Sequence, residues 1–442
     1  MCCHQATFAQ TQHSTFFNDH QSTLRSLDAP SHLGKRINTI SVQLPSSYFW
    51  AANSGTSFSQ FRDFGTSDEV SDDQVDDFVN NLQPVNAAGL GAQITPLTIA
   101  AKIKNNNKEL FTFSLGTQFN ANTSLFYSQN LAKLIWQGNK QFAGEEISLG
   151  PFSANAVAYN EYFFGASAPL PVDLGDITIR PGFRVSYITS FGTVHTPTSN
   201  VDFYTAQDGR QIDMDLDYRI NTSVPEDNVD FSAGTGYKLD LGTSVEIGSQ
   251  AMATVAVNNI GFTQYTVNTH SYFNSDTLRY EGVETELIGQ QEAEDEEFDV
   301  VLDSLREFFE AEESEKSFKA KHGPQLILHG AYRLNEREHG EGDNVRKYHQ
   351  HNIFLTYKQG FQHVYDVTKR AEFQAAYMYN LNTILNVGAN VGYGGFNRFQ
   401  FGAFASVRGG PFVFSLASNN LLGLFPSVGT GVDGSLSIAL NF

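Results

Sequence analysis

The sequence is short of cysteine, of charge and of long apolar runs, and each shortage excludes something. Its 442 residues hold two cysteines, the adjacent Cys2 and Cys3, so no internal disulfide framework and no thiolate metal site can be built from them. Charged residues make up 17%, against about 25% in ordinary soluble domains. The balance is acidic, a formal net charge of -20, which argues against nucleic acid as a partner because phosphates would meet nothing to neutralise them. No run of about 20 apolar residues is present, which argues against a membrane-spanning helix. There is also no G-x-S-x-G elbow and no H-E-x-x-H pair. "GTGYKLDLG" and "NVGYGGFN" are glycine-rich without the Lys-Ser/Thr of a phosphate loop. The reading therefore assigns no catalytic, cofactor-binding or metal residue and no cofactor, and it predicts a protein that is not an enzyme.

What is abundant is glycine and aromatic surface: 37 Gly, 37 Phe and 18 Tyr, with a mean hydropathy of -0.29. A barrel coated with apolar side chains and lined with polar ones has this composition, as do extracellular sandwiches and propellers. Strand length separates them. "ANAVAYNEYFFGASAPL" (154–170), "GDITIRPGFRVSYITSFG" (175–192), "TGYKLDLGTSVEI" (235–247) and "AMATVAVNNIGFTQY" (251–265) alternate over roughly 10 to 18 residues. Globular strands cluster at about 5 or 6 residues, whereas a tilted strand needs about 9 to 11 to cross a bilayer core. In 237–247 one face carries Tyr237, Leu239, Leu241, Thr243, Val245 and Ile247, and the other Lys238, Asp240, Gly242, Ser244 and Glu246. The first would meet lipid and the second the lumen.

Along the chain, 36–44 reads as a first strand and Ser46–Phe64 as an irregular aromatic stretch. Val70, Val75, Phe78, Val79 and Leu82 are spaced for a short acidic helix. Strands follow at 90–103 and 109–119, joined through "KNNNK". Leu125, Leu131, Leu134 and Ile135 then favour a helix. Residues 351–419 read as nearly continuous strand broken at short turns such as "NLN" and "GGFN". The alternation fails between Ser271 and Pro324, where 281–315 hold fifteen Asp or Glu and one Arg. There Phe298, Val301, Leu302, Leu305, Phe308 and Phe309 form an amphipathic stripe. This segment reads as a solvated acidic loop with one helix, on the long-loop side of the barrel, rather than as a calcium site.

Two smaller groups were weighed for metal binding. His349 and His351 would share a face of an extended strand, with His329 on another; the reading leaves them as rim or loop histidines. Asp213, Asp215 and Asp217 share a face opposite Ile212, Met214 and Leu216, which suits an acidic lumen or an extracellular extension. At the start, Thr7, Phe8 and Ala9 have the small-x-small spacing of a signal-peptide cleavage site without the preceding apolar region. An export signal is expected upstream of Met1 or in place of the first residues.

The final strand pattern places Leu436, Ile438, Leu440 and Phe442 on one face. An open sheet edge is intolerable in hydrocarbon, so this strand is expected to close the wall against the first one. A terminal aromatic there resembles the signal read by the outer-membrane assembly machinery. The segments "FFNDHQSTLRSLDAPSHLGKRINTISVQLPS", "NLAKLIWQGNKQFAGEEISLGPFSANAVAYNEYFFGAS", "YTAQDGRQIDMDLDYRINTS" and "GTGYKLDLG" together resemble a Bacteroidota outer-membrane family, DUF5723. Where that family has "NPA", this chain has "DAPS" (28–31). The resemblance implies location and architecture and supplies no catalytic residues.

The resulting expectation is an all-β transmembrane antiparallel barrel of about 14 strands, within about 12 to 16, with short helices in loops or lumen. Residues 1–35 form an N-terminal segment and 36–442 a single barrel domain, with the acidic helical loop at about 271–324. The function expected is a porin-like or transport barrel in the cell outer membrane; the alternatives are a non-conducting scaffold or surface-interaction barrel serving secretion or gliding machinery, and an outer-membrane enzyme. Its partners would be outer-membrane lipid and lipopolysaccharide, the assembly machinery through the strand ending at Phe442, and a secretion or surface protein, with no nucleic acid.

Overall fold

The computed structural model describes residues 22–35, 37, 39–60, 71–106, 108–172, 174–224, 233–280, 311–339, 346–425 and 427–442. Their strands form one closed antiparallel barrel of 14 strands. In chain order these are β1 (Ile40–Gln43 and Ser46–Asn53), β2 (Val85–Asn105), β3 (Lys108–Ser128), β4 (Ser153–Ser167) and β5 (Ile177–Thr205). Next come β6 (Ile212–Ser223 and Gly234–Ile247), β7 (Ala251–Tyr265, Thr269–Asn274 and Thr277–Tyr280) and β8 (Glu312–Ser314, Phe318–Lys321 and Gln325–His339). The wall continues with β9 (Arg346–Gly360), β10 (Glu372–Asn380), β11 (Leu385–Gly394), β12 (Phe399–Gly409), β13 (Phe412–Ser418) and β14 (Gly431–Asn441). Three helices accompany it: α1 (Ser22–Asp28), α2 (Asp72–Asn81) and α3 (Gln129–Gln137).

The seam joins β14 to β1. Ser41 pairs with Asn441 and Val42 with Leu440, and the chain resumes with Ser47 opposite Leu436. Closure removes the unpaired edge that hydrocarbon would penalise by several kcal/mol per peptide group. Along β14 the alternation holds: Leu436 and Phe442 are exposed on the outside, while Ser437, Ala439 and Asn441 are buried inside. Pro45 breaks β1 where Pro96 disturbs β2, because neither has an N–H for the ladder. The register runs from Gln43 opposite Thr98 straight to Ser46 opposite Thr95. The amide of Gln43 covers part of the break by donating to the carbonyl of Ile438 at 2.7 Å.

Hydrophobic side chains on the outer face have nothing to cover them in the protein itself. Leu90, Tyr237, Leu355, Phe373 and Tyr393 are all more than half exposed, as a lipid-facing band requires. The opposite face of β6 buries Lys238, Asp240 and Ser244. Short turns and both ends of the wall lie at one rim, where the N–H of Phe442 donates to the carbonyl of Ile40 at 2.8 Å. The connections carrying α2 and α3 lie at the other.

Several expectations need correction. Ser46–Asn53 is strand, the second half of β1, and its aromatics alternate across the wall. Ser124–Ser128 belongs to β3, and the helix starts only at Gln129, where the Ser128 hydroxyl accepts from the N–H of Leu131. The segment 271–324 is not one irregular loop: Ser271–Asn274, Thr277–Tyr280, Glu312–Ser314 and Phe318–Lys321 extend β7 and β8 past the rim. The amphipathic stripe of Phe298 to Phe309 lies outside the described residues, but Tyr280 and Glu312, which flank it, stand at the long-connection end. Phe361–Ala371 is no short turn; it folds into the barrel mouth. The helix read at 67–82 is present as α2, with Ser71 and Gln74 forming a capping box.

Candidate functional site

The candidate site is the lumen and what fills it. Residues Arg25–Leu33 lie inside the barrel, with Asp28, Ala29, Ser31, His32 and Leu33 all 2% exposed or less. The expected N-terminal segment is thus a plug, and α1 with the following turn of 3-10 helix (Pro30–His32) shapes it.

The wall holds this plug largely through its backbone. The Asn258 amide donates to the carbonyl of Asp28 at 2.7 Å, and the Ser167 hydroxyl to that of Leu33 at 2.5 Å. Lys35 reaches Glu246 at 2.8 Å, and the His32 ring nitrogen meets the Thr254 hydroxyl at 2.8 Å. Pro30 lies against Gly182, where a Cβ would stand 2.6 Å from the Pro30 carbonyl carbon; only glycine admits so close an approach. Asn258 is aimed inward by a bulge in β7 between Val257 and Ile260, with Asn259 at φ +62°. Bulges redirect side chains in this way, and asparagine tolerates that backbone conformation.

Beside the plug, β4, β5 and β6 bring four charges together. Arg184 pairs with Asp240 at 2.6 Å, and Lys238 with Glu161 at 2.5 Å. Glu161 also accepts from Ser186 at 2.6 Å. Below them Arg180 grips both oxygens of Glu109, at 2.6 and 2.8 Å. These charges are matched, as burial demands. Across the lumen, Ala29 of the plug sits on an apolar patch of Met252, Ala256, Ile327, Phe354 and Met378.

The outer mouth is closed by a cap, residues 361–371. Tyr365, at φ +51°, is held by a hydrogen bond of 2.9 Å to Thr193. The His363 ring lies 4.5 Å from that of Phe126, which also meets Phe396. Burial, and then Lys369 and Arg370, push the His363 imidazole down to about 3. Between plug and cap remains a cavity of about 20 Å³, with Asp28, Asp366, Gln118 and Arg184 in its lining. That is room for about one water.

The histidines weighed in the sequence do not converge. His349 is buried inside, while His351 points outward and bonds the Tyr377 hydroxyl at 2.6 Å; they are on opposite faces because the alternation slips between 349 and 352. His329 faces the lumen and bonds Thr356 at 2.8 Å. No group that could hold a metal occurs among the described residues. Asp213, Asp215 and Asp217 lie on the extension beyond the rim, where Arg279 pairs with Asp213 at 2.9 Å. Sequence reasoning missed both plug and cap, although "DAPS" lies at the plug's turning point.

No curated protein matches the chain. Among solved structures, the Pseudomonas putida toluene transporter TodX aligns over 95% of this chain and 94% of its own, with 9% identity and a TM-score of 0.42. A Pseudomonas aeruginosa FadL homologue aligns over 96% and 94%, with 10% identity and a TM-score of 0.43. The translocator domain of the Neisseria meningitidis autotransporter NalP aligns over 97% and 98%, with 10% identity and a TM-score of 0.34. The architecture is established by the closed sheet itself. A family model described as a family of unknown function, DUF5723, matches residues 36–419, and the chain belongs to that family.

Proposed function

We propose that this barrel is a gated transport protein of the outer membrane, closed at rest by its plug and cap. One observation carries the reading: the obstruction is made by segments outside the wall, while the wall behind them is lined by polar side chains such as Thr98, Ser114, Gln118 and Asn120. A scaffold has no need of a polar interior behind a separable plug. The apolar outer band supports a lipid bilayer as the barrel's surroundings. We read the rim of short turns as the periplasmic one and the rim of long connections as the one at the cell surface. Lipid and lipopolysaccharide surround the wall, and the strand ending at Phe442 is the segment offered to the assembly machinery. The continuous polar lining makes transport rather than catalysis the reading. A non-conducting scaffold for a secretion or surface protein is the second reading, favoured by how completely the plug is buried.

Planar-bilayer conductance separates the two. Gly182→Leu drives a side chain into Pro30 without altering the plug sequence, and deletion of 22–35 with a short glycine-serine turn in place of 361–371 removes plug and cap together. Wild type should open rarely and both variants far more often, with each barrel shown to be folded by heat-modifiable migration. Folded variants as silent as wild type would support the scaffold and overturn gating.

A further inference from the structure

The polar groups of the lumen fall into two sets. On β4–β6 charged side chains pair with one another, although Arg180 Nε, Arg184 Nη1 and Ser244 Oγ are left without a partner. On β9–β12 the bare groups are chiefly amides: Asn352, Asn380, Asn386, Asn390 and Gln400 are buried, and each leaves one amide atom without a hydrogen-bond partner. The other end of each amide is fastened. Asn352 and Asn380 donate to the carbonyl of His349 at 3.3 and 2.7 Å, and Asn390 donates to that of Asn419 at 3.2 Å. Asn386 accepts from Ser406 at 2.9 Å, and Gln400 donates to Glu372 at 3.2 Å.

Each amide is therefore held at one end and bare at the other. The inward positions of β11 are Asn386, Gly388, Asn390, Gly392 and Gly394, so amides alternate with positions that carry no side chain. A buried polar atom left bare is costly, and five in one region call for a partner that bulk water does not supply. The charges nearby are balanced, Lys358 standing opposite Glu372 in the β9–β10 register. The apolar patch is already covered by Ala29 of the plug. What is left open on β9–β12 is mostly accepting: four amide carbonyl oxygens and Glu372 Oε2, with the amide nitrogen of Asn386 as a donor.

We propose that this amide face of β9–β12 is the ligand track of the barrel and that it takes a neutral polyhydroxylated solute of the oligosaccharide class. A hydroxyl is the complementary group, since it donates to the bare carbonyls and accepts from the bare nitrogen, and it displaces water at little enthalpic cost. A hydrocarbon would leave all five atoms unpaired, and an ion would find no excess of opposite charge. The proposal rests on the gated-transport reading.

The test is block of the ion current through the full-length Gly182→Leu barrel in a planar bilayer. Maltotriose should block it in a saturable, concentration-dependent way. A polyethylene glycol dimethyl ether of matched size, which lacks hydroxyl donors, should not. Asn386→Leu with Asn390→Leu should weaken the maltotriose block by at least about 10-fold, read as the blocking constant relative to that barrel's own current without solute. Equal block in that double variant, no block by maltotriose, or block by the ether or by sodium hexanoate instead, would overturn the amide track while leaving gating intact. Absence of current in any opened barrel would overturn the gating reading, and this inference with it.

Discussion

The lumen's two polar faces are built from different chemistry. On β4–β6 the side chains are chiefly charged and paired; on β9–β12, beside the charges of Lys358 and Glu372, stand five neutral amides, each fastened at one end and bare at the other. The difference separates holding from receiving. A buried ion pair tolerates no exchange of partners, because either charge alone is costly. A half-satisfied amide can trade one neutral partner for another. The charged face therefore fixes the wall and seats the plug, while the amide face is free to meet what passes.

The strongest way to break this comparison is to remove one charge. Lys238→Met leaves Glu161, fully buried, without its closest cation and should destabilise the barrel by about 3 to 5 kcal/mol, read by urea unfolding in lipid vesicles. Adding Glu161→Leu should restore much of the loss. On the other face Asn390→Leu should cost less than about 1 kcal/mol, because it removes a bare polar atom together with one neutral hydrogen bond. Similar losses from Lys238→Met and Asn390→Leu would mean that the two faces do not differ in kind.

A second contrast sets lumen against lipid. Leu355 is 62% exposed in the middle of β9, and Leu355→Arg should cost about 2 to 4 kcal/mol at the bilayer midplane. Leu440 lies next to the rim, so Leu440→Arg should cost about 0 to 1 kcal/mol. The folded fraction recovered in outer membranes would rank them; a reversed order would misplace the membrane band.

The smallest effect concerns the cap and pH. His363 is neutral when buried, with its folded value depressed to about 3 from about 6.5 in an unfolded chain. Its contribution to cap closure is complete above the unfolded value and is lost as pH falls from there toward the folded one. Burial raises the nearby Asp366 carboxyl, which acts in the opposite sense: its contribution is complete below the unfolded value and is lost as pH rises. His363→Gln isolates the histidine. The hydrogen-exchange protection factors of 361–371, corrected for the intrinsic pH dependence of amide exchange, should fall on acidification through pH about 6 to 4 in wild type and less in the variant; equal acid response in both would remove His363 from the account.

Wall and helices were legible where neighbours in sequence determine the outcome. The two faces of 237–247 are those the alternation assigns, and α2 begins at the serine its capping box requires. The seam was legible because hydrocarbon forbids an open edge. What escaped the sequence depends on distant partners. Ala29 is buried by residues more than two hundred positions away, so nothing local to "DAPS" reveals a plug. Phe361–Ala371 has enough alternation to pass for strand, yet Thr193 and Phe126 draw it into the mouth. His349 and His351 part company through a slip in the strand that spacing alone does not announce. The bare amides are the extreme case, since composition can show many asparagines but not which atoms lack partners.

The central claim is that the plug must leave its seat for the barrel to conduct. Cysteines at Ser31 and Gly242, where a Cβ on Gly242 would stand 3.4 Å from the Ser31 hydroxyl oxygen, placed in a chain with Cys2 and Cys3 changed to serine, would tether the plug to β6 by a disulfide. Solute uptake into vesicles should be abolished when the pair is oxidised and should return on reduction, with both single variants unaffected by redox state. Uptake that is the same with the tether closed and open, or absent in both, would contradict the account.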